Sequence, residues 1–96
     1  MYVTIVEGAV DAAREDDLRS AWEDTTSGVL PEGFIESSLL RADDATWQIV
    51  TVWESKEAVI AMRASGERPA AIVMFEAAGS EPSVSVWTVE GRVTRT

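Results

Sequence analysis

This sequence predicts an α+β fold running β-α-β-β-α-β, with helices on one face of an antiparallel sheet. Three observations carry that reading. The stretch TWQIVTVWESKEAVIAMRA, from Thr46 to Ala64, changes midway from a period of two to a helical period. Alternating apolar stretches precede and follow it, at Tyr2 to Glu7, Phe34 to Arg41 and Ser83 to Val89. An acid-rich helical stretch, Asp11 to roughly Thr25, lies between the first two strands.

Taken in order, Tyr2 to Glu7 alternates as a strand and Gly8 is expected to end it. Asp11, Glu15, Asp16 and Asp17 crowd the start of the first helix, where acids suit the positive dipole end. Leu18, Ala21, Trp22 and Thr25 then fall at i, i+3, i+4 and i+7, one narrow stripe for burial. Leu30-Pro31-Glu32-Gly33 carries a type I turn signature and leads into the strand Phe34 to Arg41. Ala42 to Ala45 is a polar hairpin loop. In the next strand Trp47, Ile49, Thr51 and Trp53 share one face, and Gln48, Val50 and Val52 the other. Ser55 supplies an N-cap oxygen, Ala58, Ala61, Met62 and Ser65 form a small-residue stripe, and Gly66 is a plausible stop. Pro69 and Gly79 bracket Ile72 to Phe75, whose period is ambiguous but whose neighbours favour a short buried helix. Ser83 to Val89 is the last strand, carrying Trp87. The polar tail, residues 92–96, completes a single domain spanning 1–96. The order is that of a ferredoxin-like sandwich.

A chain of 96 residues buries only about two-thirds of its unfolded surface. The apolar outer side of such a sheet is cheapest to cover with a second copy, so a homodimer is expected. The chain contains no cysteine and no histidine, which removes thiolate chemistry, the commonest general base and the usual zinc and haem ligands. Seventeen acids against eight bases, a net charge of −9, argue against nucleic acid and anionic membranes as partners. No apolar run reaches spanning length and no basic leader opens the chain, so a cytoplasmic location is expected. Glycosidase carboxylate pairs, phosphate loops and nucleophile elbows are missing too.

Leu30-Pro31-Glu32-Gly33-Phe34, Leu39-Leu40-Arg41 and Val52-Trp53-Glu54-Ser55-Lys56-Glu57-Ala58, in this element order, resemble the antibiotic biosynthesis monooxygenase (ABM) domain of the dimeric α/β-barrel superfamily. The resemblance covers nearly the whole chain. It implies a dimeric α/β barrel, a homodimer, and a pocket between the helices and sheet of each subunit. Members of that family include oxygenases of polycyclic phenols that use no cofactor, haem-degrading enzymes, and domains with no known reaction. Counting from Trp53 puts Ile72 where haem-degrading members have their histidine and Met62 where they have a tryptophan; Glu7 or Gly8 stands for their asparagine. All three residues differ, so haem degradation is rejected and no cofactor is expected.

The expected pocket wall is Trp22, Trp53, Met62, Ile72 and Phe75, with core packing as the competing role for each. Trp47 and Trp87 have the same two options, pocket or core and dimer interface. Arg41 can hold a phenolate or carboxylate, or pair in solvent with Asp43 or Asp44. Glu7, Glu36 and Glu54 can serve as a base for a phenol if half-buried, or as surface charges. The function expected is small-molecule binding with cofactor-independent monooxygenation of a flat phenol or quinol. The alternatives are a non-catalytic ligand-binding or dimerisation module, and isomerase or lyase chemistry using Glu7 or Glu36.

Overall fold

The computed structural model describes residues 1–66 and 68–95; Glu67 and Thr96, the latter the last residue of the expected tail, lie outside the described residues. Eight elements follow one another: strand β1 (Tyr2–Ala9), a 3-10 turn (Ala12–Arg14), helix α1 (Glu15–Thr26), strands β2 (Phe34–Arg41) and β3 (Thr46–Trp53), helices α2 (Lys56–Ala64) and α3 (Ala70–Ala77), and strand β4 (Ser83–Thr88). The strands form one antiparallel sheet in the order β2-β3-β1-β4. Each helical connection therefore skips a strand, giving the split β-α-β pairs of a ferredoxin-like α+β fold.

Trp47, Ile49, Thr51 and Trp53 are buried beneath the helices, while their neighbours Gln48, Val50 and Val52 face outward half-covered. The main core cluster joins Val6, Val10, Trp47 and Ile49 of the sheet side to Leu18 of α1 and Met74, Phe75 and Ala78 of the α3 segment. Arg19 and Arg41 lie over the Trp47 ring at 5.1 and 5.9 Å. At the strand–helix junction the Ser55 hydroxyl accepts from the Ala58 amide at 3.2 Å, as the sequence predicts. Asp44 holds the β2–β3 hairpin by accepting from the Thr46 amide at 2.8 Å, and those hydrogen bonds keep its carboxyl below its ordinary value.

Tertiary packing corrects four local expectations. Gly8 does not stop β1, because it pairs with Trp47 and the strand continues to Ala9. Its missing side chain serves close approach instead: a Cβ there would lie 3.1 Å from the Phe75 ring. The first helix begins at Glu15 rather than Asp11, whose carboxylate caps the preceding 3-10 turn at the Ala13 amide, 3.0 Å away. The turn into β2 is shifted by one residue: Phe34 donates to the Pro31 carbonyl, and Gly33, with φ of 85°, takes the left-handed third position of a type II turn. In α2 the buried residue is Val59, while Ala61 and Ser65 face solvent.

Among the described residues no helix covers the outer face of the sheet. Across it run the rows Glu36–Val52–Val3–Trp87, Ser38–Val50–Ile5–Ser85 and Leu40–Gln48–Glu7–Ser83, read from the strand registers. Trp87 is 58% exposed and Leu40 46%. No described helix is long and apolar enough to cross a membrane.

Candidate functional site

A cavity of about 510 Å³ opens between the sheet and the helices. Its floor is Thr4 and Val6 of β1, Ser37 of β2, and Ile49, Thr51 and Trp53 of β3. The C-terminal end of α1 supplies Trp22, Thr25 and Thr26, and the following loop supplies Val29, Leu30 and Pro31. Met62 and Arg63 of α2, then Arg68 to Ile72 and Met74, close the other side. The wall is mostly apolar, and the charged groups among its described residues are two arginines, Arg63 and Arg68. Arg68 is paired with Glu76 at 2.8 Å, whereas Arg63 makes no ion pair among the described residues. Such a volume and lining suit a small, largely apolar molecule.

Of the residues expected from sequence, Trp22, Trp53, Met62 and Ile72 come together in this wall. Phe75 does not: it is fully buried on the other side of α3, against Gly8. Arg41 sits at the Trp47 end of the sheet, about 20 Å along β3 from Trp53 at strand spacing. There it pairs with Glu15 at 3.2 Å, not with Asp43 or Asp44. Glu7 accepts from the Gln48 amide at 2.6 Å and Glu36 is exposed beside Val52, so both lie on the outer sheet face and neither reaches the cavity. Arg41 and Glu7 instead share a shallow depression of about 280 Å³ with Leu40 and Gln48. Trp47 is core, and Trp87 lies on the outer face.

Phe34 is the wall residue that sequence parity misses. A bulge between Phe34 and Glu36 lets Phe34 pair with Trp53 and turn inward, although Ser37 three positions on faces the same way. The Phe34 and Trp53 rings then meet edge to face, with centroids 5.9 Å apart. Among the described residues no group of histidine, cysteine, aspartate and glutamate is arranged to hold a metal.

The family model described as antibiotic biosynthesis monooxygenase matches residues 1–73. A sequence comparison with curated proteins finds no match. Among solved structures, the fold is similar to that of a variant of SnoaB, a cofactor-independent oxygenase from Streptomyces nogalater, with a TM-score of 0.73 at 18% identity over 98% of this chain and 97% of that one. It is also similar to MhuD, a haem degrader of Mycobacterium tuberculosis solved with two haems in its active site (TM-score 0.69, 24% identity, 98% and 100% covered). A third, a Streptomyces coelicolor monooxygenase in complex with nanaomycin D, gives 0.68 at 20% identity, with 99% and 92% covered.

Proposed function

This chain belongs to the antibiotic biosynthesis monooxygenase family, and we propose that its cavity binds a flat aromatic phenol or quinol and oxygenates it without a cofactor. The observation that carries the reading is the apolar cavity itself, with Trp22, Phe34 and Trp53 in its wall. Such a wall strips water from the ring and fixes its orientation, while the ionised substrate delivers electrons to dioxygen directly. Arg63, at the wall without an ion pair among the described residues, favours that ionised form.

Anthrone, whose enol tautomer is a three-ring phenol, provides the test. Anthrone and dioxygen give anthraquinone and water: loss of a carbon-bound proton lets the carbanion reduce oxygen, and the resulting hydroperoxide expels water to leave the new carbonyl. One atom of labelled dioxygen is expected in that carbonyl, at a rate at least about tenfold above the protein-free background, a modest demand on substrate positioning. A second reading is favoured by one observation: no carboxylate among the described residues lines the cavity, so none of them is an evident base for the proton. Saturable anthrone binding with no acceleration would establish that reading, a non-catalytic ligand-binding module.

Haem does not fit this wall. Met62 and Met74 offer its only soft donors among the described residues, Ile72 occupies the place counted for a histidine, and the chain has neither histidine nor cysteine. In a spectroscopic titration, haem is expected to bind weakly and to keep its Soret band under reductant and oxygen. Tight stoichiometric binding followed by Soret decay would show the reverse. We also propose that two copies pair through the outer sheet face, closing the dimeric barrel.

A further inference from the structure

Three hydroxyl side chains cross the cavity floor in one line. Ser37, Thr51 and Thr4 are register partners on β2, β3 and β1, and all three line the cavity. Thr4 is 9% exposed and Thr51 7%, at inward positions where valine or isoleucine is the ordinary choice for a strand. Polar atoms buried this deeply call for full hydrogen-bond accounting.

That accounting leaves two protons over. The indole nitrogen of Trp53 lies 3.1 Å from Thr4 Oγ1, and an indole N–H only donates, so Thr4 is the acceptor and its own proton is uncommitted. Ser37 Oγ and Thr51 Oγ1 are 2.9 Å apart, a bond that uses one of their two protons. Neither remaining proton has a protein acceptor among the described residues. With Ser37 as the donor of that bond, the spare protons are those of Thr4 and Thr51, directly opposed residues of adjacent strands whose Cβ atoms are about 5 Å apart, so one oxygen atom can reach both.

We propose that this hydroxyl row binds an acceptor oxygen of the ligand, a ring carbonyl or phenolate oxygen, and so fixes which edge of the flat ring enters the cavity first. The inference rests on the cavity being the ligand site, and adds to it a polar anchor opposite the apolar walls. Neutral hydroxyl donors serve a carbonyl and a phenolate alike, and they discriminate against a hydrocarbon of the same shape. An oxygen-free ring would leave both protons unbonded and displace any water that satisfied them.

Equilibrium dialysis with menadione, a two-ring quinone, and methylnaphthalene, which keeps the rings without the oxygens, separates this proposal from the reading beneath it. Menadione is expected to bind about tenfold more tightly, the effect of one or two neutral hydrogen bonds. In the double variant Thr51→Val with Ser37→Ala, that preference is expected to fall to about twofold, with methylnaphthalene affinity unchanged. Infrared spectra of bound menadione should show a carbonyl stretch lowered by hydrogen bonding and restored in the variant. The infrared measurement on the unaltered protein, and Ser37→Ala alone, decide the matter if the double variant does not fold. Equal affinity for the two compounds with no carbonyl shift overturns the hydroxyl anchor alone. Binding of neither compound overturns the anchor and the aromatic-ligand reading together.

Discussion

Ile5→Lys is expected to sediment as a monomer of 10.4 kDa, and the unaltered protein at twice that mass. Ile5 lies at the middle of the bare sheet face, with Val50 directly beside it on β3 and Val3, Val52 and Trp87 in the adjacent row. Glu36, Glu7 and Gln48 lie toward the margins of this apolar centre. An interface with that layout buries an apolar middle and keeps a polar rim. A two-fold axis places the same patch on both partners, so one substitution introduces two ammonium groups into it. Each would have to leave water without a partner, at a cost of several kcal/mol, and the two repel one another. Glu36→Lys, at the rim, should leave the mass unchanged. The proposal fails if the unaltered protein is a stable monomer at micromolar concentration, or if Ile5→Lys still pairs.

Phe75→Ala should cost about 3–5 kcal/mol of stability, a large part of the 5–15 kcal/mol typical of a small domain. Phe75 is completely buried in the cluster with Leu18, Trp47 and Ile49, and its ring fills the space that Gly8 leaves on β1. Gly8 has no side chain with which to refill the void, so the cavity term adds to the lost transfer energy. Urea unfolding at fixed protein concentration measures the loss, because pairing would otherwise shift the midpoint with concentration. A loss below about 1 kcal/mol would mean that the helix collapses onto the sheet, and would contradict the packing described.

The β2–β3 hairpin and the β3–α2 junction were legible because their signals are local. Alternation set both strands at Phe34–Arg41 and Thr46–Trp53, and Ser55 capped the helix that the change of period announced. Trp22, Trp53 and Met62 could be placed at the cavity for a related reason, since each sits on a helical stripe or at the matched junction, whereas Ile72 was located only by counting from Trp53 within the resemblance. Arg41, Glu7 and Glu36 could not be placed: a charge in or at the end of a strand carries no mark of the face, or the end of the sheet, to which it belongs. Phe75 was misplaced because its short apolar helix has no polar side to show which residues point at the cavity and which at the core behind it.

By itself the sequence determined the element order, the strand parity and the lack of imidazole and thiol, because each is a property of neighbours in the chain or of composition. Tertiary structure alone decided that Gly8 lies under Phe75, that a bulge turns Phe34 inward, and that Ser37, Thr51 and Thr4 form one line of hydroxyls. The three hydroxyls come from three separate strands, and as isolated residues they look like ordinary strand positions. Backbone pairing brings them side by side and leaves two of their protons without a protein acceptor among the described residues.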